Sequence, residues 1–147
     1  MNDNVARKTA LDTSRSFVVQ APAGSGKTEL LIQRYLALLA RVDLPEQIIA
    51  ITYTRKAASE MRRRILASLD KAKKKKPAQG SHERQTRNLA LAVLARDQKL
   101  SWDIQNQPKR LRVDTVDALN AWLAQRLPIL SGGVAGAQVK ENVDGEY

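Results

Sequence analysis

The 147-residue chain has no cysteine, one histidine and six aromatic residues: two Trp, three Tyr and one Phe. Without cysteine there is neither a disulfide nor a thiolate-bound metal, and a reducing, cytoplasmic setting is the expectation. The one histidine, His82, lies in the polar stretch Gly80-Ser81-His82-Glu83. It reads as an ordinary surface residue, because metal sites need several converging ligands. No apolar run approaches the roughly 20 residues of a membrane span, and no N-terminal segment pairs a basic start with an apolar run. No membrane partner is therefore expected. There is no internal repeat, and a chain this long can bury about two-thirds of its unfolded surface in one core.

Acidic residues are also scarce where basic ones are dense. The net charge is +10, yet residues 55–112 carry 17 Lys and Arg against 5 Asp and Glu, a local charge of +12. The remainder is slightly acidic. A one-sided basic load is the electrostatic footprint of a polyanion, nucleic acid before membrane. A solvated helix face is the plainer reading, and composition alone does not choose between them.

What the chain does have is the run Ala21-Pro22-Ala23-Gly24-Ser25-Gly26-Lys27-Thr28. It follows the apolar segment Ser16-Phe17-Val18-Val19-Gln20 and precedes a helical pattern over 29–41. Strand, glycine-rich turn, Lys-Thr and helix is the order of a P-loop. Glycines let successive backbone N–H groups turn inward around phosphate oxygens, and the helix N-terminus adds its positive dipole end. In that arrangement Lys27 reaches the β- and γ-phosphates of ATP and the Thr28 hydroxyl ligates Mg²⁺. Ala21 stands where the motif usually has Gly, keeping the side chain small. The alternative is a glycine-rich strand-to-helix turn with an idle lysine.

Along the chain, 2–12 reads as a short helix and 16–20 as a buried first strand. Helix 29–41 carries an inward stripe of Leu30, Leu31, Tyr35, Leu38 and Leu39. Residues 47–52 read as a second strand whose apolar centre suits a parallel strand covered on both faces. A long helix opens at Arg55, runs through Ala57, Ala58, Met61, Ile65, Leu66 and Leu69, and dissolves into Lys71-Ala72-Lys73-Lys74-Lys75-Lys76-Pro77. Pro77 and Gly80 mark a loop, 83–98 is helical with Leu89, Ala92, Val93 and Arg96, and 100–108 is irregular around Trp102, a packing residue. Leu111-Arg112-Val113 is a short strand. Helix 115–127 presents Val116, Leu119, Trp122, Leu123 and Leu127, and Pro128 closes it. The Gly-rich, acidic tail 131–147 has no core-forming period and is expected to mark a truncation point.

A P-loop alone does not choose among kinases, GTPases, ATPases and motors. After the second strand comes Ile51-Thr52-Tyr53-Thr54-Arg55-Lys56-Ala57-Ala58-Ser59-Glu60-Met61-Arg62. It resembles motif Ia of the superfamily 1 helicases of the UvrD/Rep/RecB group, with Tyr53 and Arg55 replacing the more usual Phe and Asn. The stretch Arg112-Val113-Asp114-Thr115-Val116-Asp117-Ala118 sits where that group carries motif Ib, with Asp117 and Ala118 replacing His and Ser. The residues agree physically: Thr52, Tyr53 and Thr54 present hydroxyls and an aromatic ring at a sheet's carboxyl edge, where α/β proteins place ligands. Arg55 and Lys56 open a helix, placed for backbone phosphates. Tyr53 either stacks on a base or packs at the strand end.

The resemblance covers most of residues 16–128. It implies an α/β, RecA-like P-loop domain over 1–130, incomplete, with 66–110 as a basic helical insertion between motifs Ia and Ib. It further implies the ATP-binding N-terminal portion of a DNA helicase, or of one chain of a helicase–nuclease, acting in DNA repair or recombination. Such a motor walks on single-stranded DNA with ATP and Mg²⁺. Nucleotide contacts then fall on Ala21–Thr28 and DNA contacts on Thr52, Tyr53, Thr54, Arg55, Lys56 and Thr115; the remaining partners are the rest of the helicase polypeptide or other subunits. Three departures stand out. No Gln precedes Gln20, Glu29 replaces the Arg that many members carry after the P-loop Thr, and no Asp-Glu pair follows on a strand, with Asp144 and Glu146 in the tail. Phosphoryl transfer needs metal, positioned water and positive charge together, so the chain alone is expected to be nearly inert. The rival readings are a standalone ATP- and nucleic-acid-binding module and a small kinase. The kinase would need paired lid arginines, and Arg62-Arg63-Arg64 at helical spacing point in different directions.

Overall fold

The computed structural model describes residues 3–127. Its elements in order are α1 (Asp3–Ala10), α2 (Lys27–Leu39), a 3₁₀ turn (Pro45–Gln47) and β1 (Ile49–Thr52). There follow α3 (Arg55–Lys73), α4 (Gly80–Leu100), a second 3₁₀ turn (Pro108–Arg110), β2 (Arg112–Thr115) and α5 (Val116–Arg126). The class is α/β, with β1 and β2 as a small parallel sheet joined through α3 and α4. Pro128, the tail 131–147 and the residues preceding Asp3 lie outside the described residues.

The register pairs Ile49 with Arg112, Ala50 with Val113, Ile51 with Asp114 and Thr52 with Thr115. Side chains alternate across a strand, so Ala50, Thr52, Val113 and Thr115 share the face turned to the core. Val113 and Thr115 are buried, whereas Ile49 and Ile51 on the other face are 42% and 51% exposed. The expectation of cover on both faces is thus corrected: among the described residues one face is packed. The apolar run Ile48-Ile49-Ala50-Ile51 does not reveal which of its residues find a covering layer.

The expected strand 16–20 is not formed either. A strand is stable only when a neighbour completes its backbone hydrogen bonds, and none of the described strands pairs with this segment. Val18 is 99% exposed. The segment is held instead by arginines: Phe17 lies between the guanidiniums of Arg15 and Arg34, 5.5 and 5.3 Å from its ring centre. Arg34 also donates to the carbonyls of Ala10 (2.6 Å), Asp12 (3.1 Å) and Arg15 (2.7 Å). It thereby ties α1 and its following turn to α2.

The core gathers Ile32, Leu36 and Leu39 of α2, Met61, Ile65 and Leu69 of α3, and Ala90 and Val93 of α4, closed by Trp102, Ile104, Leu111 and Val113. The basic stretch 66–110 therefore packs into the same core as α2. On α2 the buried set is Leu30, Ile32, Gln33, Tyr35, Leu36 and Leu39. Leu31, expected inward, is 51% exposed, because α3 and α4 both pack on α2 and draw the buried stripe around it. Helix α5 buries no residue; Val116, Leu123 and Leu127 are all exposed. Its Trp122 is instead flanked by the guanidiniums of Arg112 and Arg126 at 4.3 and 4.9 Å.

Helix α3 ends in a Schellman motif. Lys76 N–H donates to the Lys71 carbonyl (3.2 Å) and Lys75 N–H to that of Ala72 (3.1 Å). The left-handed residue is Lys75, with φ of 53°, where glycine is usual. The Cβ penalty there is about 1–2 kcal/mol, partly offset by glycine's greater unfolded-state entropy. Lys75→Gly is therefore expected to stabilise the chain by about 0.5–1 kcal/mol, raising Tm by a few degrees in a thermal melt. A lower Tm would mean that the lysine side chain makes a contact worth more than the strain.

Candidate nucleotide and nucleic-acid sites

Residues 21–28 form a loop that runs directly into α2. Gly24 and Gly26 take φ of 76° and 81°, left-handed values that side chains disfavour. Gly26 is the N-cap of α2, and its carbonyl accepts the Leu30 N–H at 3.1 Å. The loop closes on itself through Ser25 N–H to the Pro22 carbonyl (3.3 Å) and through Lys27 Nζ to the Ala21 carbonyl (2.6 Å). Lys27 and Thr28 are exposed. The first helical turn thus presents its unpaired N–H groups, a lysine ammonium and a threonine hydroxyl together, a donor set suited to an anionic ligand.

Arg7 of α1 donates to the Ser25 carbonyl, and its guanidinium lies so close to Gly26 that a Cβ there would come within 2.9 Å of Nη2. The backbone angle is what calls for glycine at 26; the Arg7 guanidinium is the end of a flexible side chain and can shift to admit a Cβ. Ser25 Oγ is buried with no hydrogen-bond partner, an acceptor and donor left over beside the loop. A cleft of about 500 Å³ runs between α1, residues 17–21 and the loop, lined by Arg7, Phe17, Val19, Ser25 and Lys27 among others. Neither Arg7 nor Arg34 is legible from sequence as a site residue, because their partners lie 18 to 24 positions away. No cluster of metal-ligating side chains occurs among the described residues; Thr28 stands exposed in the first turn of α2.

Glu29, the departure from the family pattern, is a brace. Its carboxylate accepts from Arg64 Nη2 (2.8 Å) and Thr86 Oγ1 (2.7 Å), and Gln33 Nε2 donates to Thr86 Oγ1 (3.0 Å). One side chain of α2 thereby holds both α3 and α4. His82 contributes its carbonyl, to Gln33 and Thr86. Arg62, Arg63 and Arg64 do diverge: Arg62 goes to the carbonyls of Leu111 and Val113, Arg63 to Glu60 and Arg64 to Glu29.

The second group of candidate residues stands at the carboxyl edge of the sheet. Thr52 and Thr115 are register partners, so both strands end there, about 4.8 Å apart. Each strand passes into a helix through a threonine cap: Thr54 Oγ1 accepts the Ala57 N–H at 3.1 Å and Thr115 Oγ1 accepts that of Ala118 at 3.2 Å. Thr52 Oγ1 donates to the Thr54 carbonyl (3.0 Å) and shapes the turn between them. Tyr53 projects from that turn 94% exposed, so it is not a packing residue. Arg55 and Lys56 open α3 and are exposed, whereas Thr115 is buried at its cap position. The edge therefore offers two helix N-termini, one bare aromatic ring and two cations. It does not line the cleft beside the glycine-rich loop.

The chain belongs to the UvrD/REP helicase N-terminal domain family, which it matches over residues 1–131. Among its curated relatives is an ATP-dependent helicase/nuclease subunit of Desulfitobacterium hafniense, 39% identical over 89 residues, which is 57% of this chain and 6% of that protein. The protein of the same name from Clostridium perfringens is 35% identical over 83 residues, 54% of this chain and 6% of the relative. A probable DNA helicase II homolog of Mycoplasma pneumoniae is 49% identical over 53 residues, 35% of this chain and 7% of the relative. The stretches matched thus span less than a tenth of the length of these relatives. No solved structure matches the chain.

Proposed function

We propose that the chain is the ATP-binding N-terminal portion of an ATP-dependent DNA helicase, or of one chain of a helicase–nuclease, that translocates on single-stranded DNA. The observation that carries this reading is the Ala21–Thr28 loop with its two left-handed glycines at the head of α2, on a chain of the UvrD/REP family. Ala21 to Gly26 supply the backbone cradle, Lys27 meets the β- and γ-phosphates, and Thr28 takes Mg²⁺. The bound metal supplies charge neutralisation on the phosphates; the loop orients them. The buried, unpartnered Ser25 Oγ fits a ligand that brings its own polar atoms.

Thr52, Tyr53, Thr54, Arg55, Lys56 and Thr115 form the DNA track. Base stacking on Tyr53 and phosphate contacts from Arg55 and Lys56 are sequence-tolerant, as a translocating motor requires. The sequence offers no Asp-Glu pair to hold metal and orient water, so this chain binds ATP without turning it over. The test is the ATPase rate of the purified chain with and without single-stranded DNA, beside calorimetric titration with Mg-ATP. Binding without turnover is expected; DNA-stimulated turnover at an enzymatic rate would refute it.

Replacing Arg55 and Lys56 together with Ala should weaken binding to a dT20 oligonucleotide. The slope of log affinity against log salt should fall by about 1.4, as two phosphate contacts on a single strand predict. An unchanged slope would remove both residues from the track.

A further inference from the structure

We infer that the cavity between the C-terminal half of α3, residues 74–79 and the start of α4 is a second docking site for the phosphodiester backbone of DNA. The inference rests on the DNA-binding reading above, and it assigns a role to the lysine run that the strand-end track leaves unused.

The cavity measures about 540 Å³ and opens to solvent. Five cations line it, Arg63, Arg64, Lys71, Lys76 and Arg87, against the two carboxylates Glu29 and Glu83. Those carboxylates are already committed: Glu29 to Arg64 at 2.8 Å, and Glu83 to Lys71 at 4.0 Å and to the Gln79 N–H. Arg63 is paired with Glu60. The surplus falls on Lys76 and Arg87, whose side chains make no hydrogen bond or ion pair among the described residues, and Arg87 Nε is buried without an acceptor. A sequestered guanidinium nitrogen with no acceptor costs free energy, and an anion entering the cavity supplies one. Arginine and lysine facing one opening are the pair that phosphate oxygens satisfy.

The backbone at the cavity rim agrees. Lys75 holds φ of 53° where glycine would be easier, and the Schellman turn it makes carries Lys76 to the cavity mouth. Strain kept by a charged residue beside an electropositive opening is the pattern of a functional turn. DNA is favoured over an acidic polypeptide by continuity, since the same helix α3 begins at Arg55 on the strand-end track. From Arg55 to Lys71 the helix rises roughly 24 Å, a separation that one single strand of dT20 is long enough to bridge. That distance is well beyond the Debye length of about 8 Å, so the two sites contribute to the salt dependence separately.

The test measures dT20 affinity across a salt series for the wild-type chain, Lys76→Ala/Arg87→Ala and Arg55→Ala/Lys56→Ala. The first double variant is expected to lower the salt slope by about 1.4 while Mg-ATP binding stays unchanged. Lys76→Glu, at an exposed position, repeats the test without disturbing the packing of Arg87 and should also weaken dT20 binding. If the slope falls for Arg55→Ala/Lys56→Ala alone, the second site is overturned and the strand-end track stands. If the wild-type chain does not bind dT20, both are overturned. If oligoglutamate binding is lost with Lys76 and Arg87 while dT20 binding is unchanged, the cavity takes an acidic polypeptide and the inference is overturned.

Discussion

Lys27→Ala is expected to weaken Mg-ATP binding by roughly 10- to 100-fold while leaving dT20 binding and thermal stability nearly unchanged. Lys27 is exposed and makes one hydrogen bond, across the loop to the Ala21 carbonyl. A surface lysine of this kind contributes little to folding. Against a triphosphate the same ammonium makes charge-assisted contacts, each worth about 1.5–3 kcal/mol, and every 1.4 kcal/mol is about tenfold in affinity. The proposed DNA track lies on another part of the molecule, at the ends of β1 and β2, so binding there should survive. Calorimetry with Mg-ATP and anisotropy with labelled dT20 separate the two. Equal loss of both ligands would show that the loop acts as a structural turn. Unchanged ATP binding would mean that the triphosphate, if held at all, sits elsewhere.

Legibility in the sequence follows the range of the interactions. The glycine-rich loop is readable because its eight residues are contiguous and backbone angles are local. On α3, Ala58, Met61, Ile65 and Leu69 are buried as their three- and four-residue spacing indicates, and Thr54 caps the helix where β1 ends. The helical pattern over 29–41 starts two residues after the helix itself, since Lys27 and Thr28 already lie in the first turn. What cannot be read is pairing. The segment 16–20 has a strand's composition, but a strand is defined by its neighbour, and composition carries no record of one. The expected stripe on α2 fails at Leu31 because α3 and α4 both pack on that helix, pulling Ile32, Gln33 and Leu36 inward. For α5 the spacing of Val116, Leu119 and Leu123 suggests a buried face that the described residues do not cover. In the candidate site, Arg7 on Ser25 and the Glu29–Arg64–Thr86 network join residues 18 to 57 positions apart. No local pattern announces such contacts.

The largest fully buried side chain among the described residues is that of Trp102. Trp102 is 1% exposed, and its Nε1–H donates to the Asp43 carbonyl at 2.8 Å. It closes the core between the α2–β1 connection and the segment leading to β2. Arg110 donates to the Trp102 carbonyl (2.9 Å) and pairs with Glu46 (2.6 Å), a hydrogen bond that holds the Glu46 carboxyl below its ordinary pKa. Arg96 binds the Val42 carbonyl (3.0 Å) and the Asp43 carboxylate (2.8 Å) beside it. The flanking residues Ser101 and Asp103 both adopt left-handed angles, φ of 52° and 57°, at a cost of about 1–2 kcal/mol each. The burial of the indole outweighs that cost. Trp102→Ala should therefore lose about 3–5 kcal/mol through the cavity it opens, a large share of the roughly 5–15 kcal/mol by which a domain is stable. Urea unfolding followed by far-UV circular dichroism measures the loss. Trp102→Phe keeps most of the packing and gives up the Nε1 hydrogen bond, so it should cost only about 1–2 kcal/mol. Trp122→Ala, at a half-buried indole held between two guanidiniums, should cost about 1 kcal/mol. If Trp102→Ala proved no worse than Trp122→Ala, residues 101–111 would not be the seam that joins β2 to the helical core.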